Sequence, residues 1–226
     1  MSFKELTVSE FVQAVSKETP TPGGGSVSSL IVSLSAALVS MVGALTANRL
    51  GARIEKKSGE TANNTGCSNK DSKLESILNL VNTCKELQMK LLVLADKDSA
   101  AYDKVIAAYR LPRDTKKEKE LRSFAIQDAF KGACLIPLEV VKLSLEVLRL
   151  TEFMASYGIK GAMSDVGVAC LMAWAGMEGA YLNIKTNLSS IKDESFIRQV
   201  EKEAKTCISS GEDIFQQVIR QIKKSL

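Results

Sequence analysis

Apolar positions in this chain recur at helical spacing. Leu74, Ile77, Leu78, Val81, Cys84, Leu87, Leu91 and Leu92 fall three and four apart, which marks one face of a helix. Neither Gly nor Pro interrupts that run before Pro112, so the spacing predicts one long helix reaching Tyr109. Thr7-x-x-Glu10, Ser72-x-x-Glu75 and Thr115-x-x-Glu118 read as capping boxes, each opening a helix. Phe11, Val12 and Val15 follow the first box and predict a short amphipathic helix ending near Glu18, with Leu6 and Phe11 placed as a hydrophobic staple. Pro137 is expected to kink or divide the helix opened by Thr115, near Ile136. A break at Tyr157-Gly158-Ile159-Lys160-Gly161 precedes a helix over Ser164 to Thr186. Asp193-Glu194-Ser195-Phe196 opens the last helix, with Ser209-Ser210-Gly211 as a place for it to break. No strand pattern and no fixed repeat is found.

One stretch departs from the amphipathic pattern. Pro20-Thr21-Pro22-Gly23-Gly24-Gly25-Ser26 leads into a run with no charge through Ala47. The prolines fix φ and the three glycines leave the backbone bare and free to adopt positive φ. Ser26 is placed as the N-cap. Bare N–H groups at a helix start form an anion site, but no Lys-Ser or Lys-Thr follows, so the run is not a Walker A loop. The helix over Ser26 to Ala47 is long enough to span a membrane. Against a span, it carries Ser28, Ser29, Ser33, Ser35 and Ser40, and small residues recur every four positions on two faces: Ala36, Ser40, Ala44, and Ser29, Ser33, Ala37. Such faces admit close backbone approach, and we expect a central helix buried on all sides. Asn48 to Lys70 is polar, with Asn63-Asn64-Thr65-Gly66, and reads as a loop with a helical start.

The whole is an all-α, single-domain helical bundle over residues 1–226, with two small-residue helices at its centre and no significant sheet. Composition agrees: 45% of the 226 residues are hydrophobic, only 5% aromatic, and Pro numbers four. A net charge of +4 gives no case for nucleic acid. The opening Met1-Ser2-Phe3-Lys4-Glu5 has no apolar run, so we expect a cytoplasmic protein away from membranes. Five cysteines without a C-x-x-C pair read as reduced, buried thiols. Histidine is absent. That removes Ser-His-Asp and Cys-His nucleophiles and His-based metal sites, and leaves acid–base chemistry to Asp, Glu, Lys, Tyr, Cys or backbone groups.

Four places can carry chemistry. The first is Gly23, Gly24, Gly25 and Ser26. The second pairs Asp98 with Tyr102, one helical turn apart. The third is basic, Arg110 to Arg122, including Lys116; Arg49, Arg53, Lys56 and Lys57 form another basic segment. Both read equally as solvated surface. The fourth is Asp165, opening an apolar helix that later carries Asn183 and Asn187. Asp165 is either an N-terminal dipole partner or a desolvated carboxyl suited to proton transfer. Asn183 and Asn187 share a face and can both donate and accept, as a heterocycle edge requires.

In chain order, Pro20-x-Pro22-Gly23-Gly24-Gly25-Ser26, Met41-Val42, Leu45-Thr46, Asp98-x-x-Ala101-Tyr102, Leu111-Pro112-x-x-Thr115, Glu118-Lys119, Ser164-Asp165, Gly179-Ala180-x-x-Asn183 and Asn187-Leu188 resemble the cyclodeaminase family of folate enzymes. The resemblance covers about Phe3 to Asp193. Two segments differ from it: Ala47-Asn48-Arg49-Leu50 after Leu45-Thr46, and Gly158-Ile159 before Ser164-Asp165. The resemblance implies an all-helical homodimer that binds folate near the subunit interface, with no metal or organic cofactor and a tetrahydrofolate derivative as substrate. It implies cyclisation of formiminotetrahydrofolate to methenyltetrahydrofolate with loss of ammonia. Hydrolysis of the methenyl bridge, and folate binding without turnover, stay open as alternatives. On this reading Asp165, then Asp98, carries the proton. Gly23, Gly24, Gly25, Ser26, Tyr102, Asn183 and Asn187 bind the ligand, and Lys116 and Arg49 meet its glutamate tail.

Overall fold

The computed structural model describes residues 2–60 and 68–225; the side chains of 53–60 and 68–71 lie outside the description. Among the described residues a 3-10 turn, Phe3–Glu5, precedes six α-helices: α1 Val8–Val15, α2 Gly24–Glu60, α3 Ser68–Tyr109, α4 Lys116–Tyr157, α5 Met163–Leu188 and α6 Glu194–Ser225. Among the described residues there is no strand.

Two of the capping boxes form as expected. Thr7 and Thr115 each accept from the N–H three residues on, and Glu10 and Glu118 reach back to the cap N–H. Those backbone donors hold both exposed carboxyls below the usual Glu range. The first helix stops at Val15 rather than Glu18, and Phe11 meets Phe3 edge-on. The Ser72 box does not cap, because α3 starts upstream at Ser68 and the Ser72 carbonyl accepts from Ser76 Oγ inside the helix. Asp193 caps α6 instead, its Oδ1 accepting from the N–H groups of Ser195 and Phe196. Asn48 to Lys70 is not one loop, since 48–60 continue α2 and 68–70 begin α3. The side chains of Arg53, Lys56 and Lys57, and the residues Asn63-Asn64-Thr65-Gly66 and Cys67, lie outside the described residues.

Of the three expected breaks, the one after Tyr157 is present and the other two are absent. Gly211 is interior to α6 because Met177 of α5 fills the space a side chain would need, its Sδ 2.6 Å from where a Cβ would sit. Pro137 is interior to α4. It has no N–H for the Ala133 carbonyl four residues back, and Asn187 of α5 supplies the donor, Nδ2 to O at 3.0 Å. The helix therefore continues with its buried carbonyl paired.

The serines explain how an uncharged helix packs as core. Ser26, Ser29 and Ser33 donate to the α3 carbonyls of Ala95, Leu91 and Gln88, at 3.1, 2.6 and 3.1 Å. Ascending numbers on α2 meet descending numbers on α3, so the helices are antiparallel. On its other side α2 meets α5, also antiparallel. Ser35 Oγ donates to the Ala169 carbonyl at 2.6 Å, and a Cβ on Gly176 would stand 2.8 Å from the Ser28 carbonyl oxygen. Only glycine allows that approach. One segment among the described residues, Gly24–Ala52, is long and apolar enough to cross a membrane; here it packs on α3, α4 and α5. It is not buried on all sides. Leu34, Met41 and Leu45 are exposed, as are Val168, Leu171 and Leu182 on α5. Among the described residues α4 meets more of the other α-helices than any other, touching α2, α3, α5 and α6, and it buries Val141, Val147, Leu148 and Met154 completely.

Candidate functional site

Helix directions decide which residues meet. α2 begins where α3 nears its end and where α5 ends, so Gly24, Gly25, Asp98 and Asn183 gather at one end of the bundle. α2 starts at Gly24, with the Gly23 carbonyl accepting from Val27 N–H at 3.0 Å. Ser26 is thus inside the helix and does not cap it. None of the described glycines has positive φ; the loop uses glycine for space. A Cβ on Gly25 would lie 2.6 Å from Asp98 Oδ2 and nearer still to Oδ1. The carboxylate occupies the room a side chain would take.

Asp98 is half-buried on α3. Ser26 Oγ stands 3.0 Å from its Oδ2. Desolvation pushes the carboxyl above the ordinary Asp range, and the Ser26 hydroxyl and backbone N–H pull against that rise. On the α5 side, Gly179 leaves room for Ser28, whose Oγ donates to the Gly24 carbonyl at 2.7 Å. Asn183 donates Nδ2 to the Gly179 carbonyl at 2.8 Å. A Cβ on Gly24 would lie 3.5 Å from that Nδ2 and 4.0 Å from Oδ1, so the Asn183 amide borders the loop. Its second N–H and its Oδ1 have no other partner among the described residues.

The remaining sequence candidates divide between the two ends. Tyr102, one turn beyond Asp98, is exposed. Lys116, also exposed, is the first residue of α4. It adjoins a groove of about 390 Å³ lined by Tyr109, Arg113, Lys119, Arg122, Gln127 and Lys192, among others, none acidic. Tyr109 follows Asp98 on α3 by roughly 16 Å of helix rise. The groove was not singled out in the sequence, because Lys192 joins Arg113 only through the packing of the α5 end on α4. Asn187 gives one Nδ2 hydrogen to the Ala133 carbonyl at 3.0 Å. Arg49 lies roughly 37 Å along α2 from Gly24, and Asp165 roughly 27 Å along α5 from Asn183. Asp165 is half-buried in the first turn of α5, where no side chain caps the helix, the position of a dipole partner. At that far end the divergent Gly158-Ile159 meets the residue just before the other divergent segment, Ile159 N–H donating to Thr46 Oγ1 at 3.2 Å.

Burial pushes the Cys84 and Cys134 thiols up to about 12 and Cys170 to about 11, so they stay protonated; Cys207 is half-buried. Among the described residues no group of three or more Cys, Asp or Glu is placed to hold a metal ion.

Residues 7–206 match the family described as Formiminotransferase-cyclodeaminase. The chain belongs to this family. It is 30% identical over 220 residues to a methenyltetrahydrofolate cyclohydrolase of Methylorubrum extorquens, covering 97% of each chain. It is 28% identical to the rat formimidoyltransferase-cyclodeaminase, covering 91% of this chain and 36% of the rat protein. The fold matches the crystal structure of a formiminotetrahydrofolate cyclodeaminase from Thermotoga maritima, with a TM-score of 0.78, 27% identity and 98% of both chains covered. The family is one of folate-processing one-carbon enzymes, and its all-helical architecture is the one found here.

Proposed function

We propose that this chain cyclises formiminotetrahydrofolate to methenyltetrahydrofolate, with Asp98 moving the proton. The observation that carries the reading is the Asp98 carboxyl seated against Gly25 and tied to Ser26, with the Asn183 amide against the neighbouring Gly24. The nitrogen on the aminobenzoate side attacks the carbon of the protonated formimino group, whose C=N bond becomes a single bond to an amino group. A C–N bond forms, and ionised Asp98 takes the proton from the attacking nitrogen. The same proton passes to the departing amino group as its C–N bond breaks and ammonia leaves. A carboxyl lifted by desolvation is better matched to that two-way transfer near neutral pH than an ordinary one, and a chain without histidine needs such a group. The free N–H and Oδ1 of Asn183 pair with the pteridine edge. The basic groove at Arg113, Lys119, Arg122 and Lys192 receives the glutamate carboxylates, with Lys116 beside it and Arg49 out of reach. The step as written needs no metal or organic cofactor.

The full-length likeness to a cyclohydrolase supports a second reading, in which Asp98 deprotonates water for attack on the methenyl carbon. Incubating the purified protein with each substrate separates them. Methenyl absorbance rising with ammonia release from formiminotetrahydrofolate supports cyclisation. Absorbance falling from methenyltetrahydrofolate, with no reaction of the formimino compound, replaces it with hydrolysis, and no change with either leaves folate binding alone. We further propose a cytoplasmic homodimer closed through the exposed apolar face of α2 and α5, at Leu34, Met41, Leu45, Val168 and Leu171. Light scattering showing only a 24.5 kDa species at micromolar concentration would refute the dimer.

A further inference from the structure

Ser26 differs from the other rungs of its ladder. Ser29 and Ser33 each have one partner, an α3 carbonyl. The Ser26 side chain is fully buried and has three: the Ala95 carbonyl at 3.1 Å, Asp98 Oδ2 at 3.0 Å and Ser99 Oγ at 3.3 Å. A hydroxyl has one proton to give and can accept through its lone pairs. A carbonyl only accepts, and an ionised carboxylate only accepts. With Asp98 ionised, the single Ser26 proton must choose between Asp98 and Ala95, and the charge-assisted bond is the stronger. Ser99 then donates to the Ser26 oxygen. With Asp98 protonated at Oδ2, the carboxyl O–H donates to Ser26 Oγ, and the Ser26 proton turns to the Ala95 carbonyl. Both states are fully paired, and only one O–H rotates between them.

We propose that Ser26 is a positioning residue whose hydroxyl follows the protonation state of Asp98, holding the carboxyl in one place while favouring its ionised form. This rests on the reading of Asp98 as the proton carrier. No charged side chain among the described residues contributes to the interactions on that carboxyl, which are burial and the two Ser26 donors. α2 brings Gly24, Gly25 and Ser26, and α5 brings neutral Asn183. On α3 the nearby titratable residues are Lys97, Tyr102 and Asp96, and Asp96 is engaged by Ser2 Oγ and Phe3 N–H. Ser26 is therefore the one partner whose removal retunes the group.

Carboxyl ¹³C NMR titration of Asp-labelled protein reads this directly, the Asp98 signal being assigned by its loss in Asp98→Asn. Ser26→Ala removes a bond worth more to the ionised form than to the neutral one, so the Asp98 midpoint is expected to rise by about one pH unit. The acid limb of the turnover profile is expected to rise with it. Ser26→Cys, a weaker donor, is expected to shift the midpoint less. Ser29→Ala, which removes a comparable rung away from Asp98, is expected to leave the midpoint in place. An unmoved midpoint in both Ser26 variants overturns the proposal and reduces Ser26 to a third rung. If Asp98→Asn keeps full turnover, the proton-carrier reading fails, and the NMR midpoint still decides whether Ser26 controls Asp98.

Discussion

Asn187→Ala offers a test of how α4 survives its proline. In an uninterrupted helix the N–H of residue 137 would donate to the carbonyl of residue 133. Pro137 cannot, and Ala133 is only 7% exposed, so water is not a ready substitute. Asn187 Nδ2, 3.0 Å from that carbonyl, is the replacement. Removing it leaves a buried acceptor unpaired, a loss of about 1–3 kcal/mol. For a chain of this length that corresponds to roughly 2–12 °C in Tm. Pro137→Ala restores the backbone donor, so in that background Asn187→Ala is expected to cost less than about 1 kcal/mol. The four proteins form a double-mutant cycle, read by urea or thermal unfolding, with a coupling energy of about 0.5–2 kcal/mol between sites 137 and 187. Any cavity left by shortening the proline side chain is common to both arms and cancels. An Asn187→Ala loss of equal size in both backgrounds would refute the substitution of side chain for backbone. Unchanged stability with weakened folate binding would return Asn187 to the ligand.

Gly25→Ala places a methyl group where the Asp98 carboxyl sits. It is expected to leave the fold intact, displace the carboxyl by on the order of 1 Å, and lower turnover by about 10²-fold; wild-type turnover would show that the carboxyl position is unimportant. Asp98→Asn is expected to raise Tm at neutral pH, because the folded-state pKa is raised and ionising the group in the fold opposes stability. The advantage disappears below the unfolded Asp pKa of about 4, where both states bind the proton; a Tm difference independent of pH would count against a desolvated carboxyl. Folates with longer glutamate tails are expected to bind more tightly at low salt through Arg113, Lys119, Arg122 and Lys192, with the difference erased by added salt. Equal affinities at low salt would return the groove to solvent.

Helix identity was legible from spacing and caps, because apolar periodicity and the Thr7 and Thr115 boxes are local properties. The misreadings arise where tertiary packing overrides a local signal. Pro137 and Gly211 look like breaks until Asn187 and Met177 are seen across the helix interface. Ser26 looks like a cap until the helix is found to start at Gly24, with its hydroxyl turned to α3. The site was half legible. The glycine loop, Asp98 and Asn183 were all marked by their residue types, but nothing in spacing tells which ends of antiparallel helices coincide. In the sequence Asp165 therefore ranked ahead of Asp98 on its apolar neighbours, whereas helix direction puts only Asp98 beside the glycines. Arg49 was separated from the loop for the same reason.

The most direct test of the proton carrier is turnover of formiminotetrahydrofolate by Asp98→Asn and Asp165→Asn, measured side by side with folate affinity. Asp98→Asn is expected to lower turnover by about 10²–10⁴-fold with affinity within a few fold, while Asp165→Asn stays near wild type and keeps its fold, losing only a helix-dipole interaction of about 0.3–1 kcal/mol. A large loss in Asp165→Asn with near-normal turnover in Asp98→Asn would contradict the assignment and move the chemistry to the other end of the bundle.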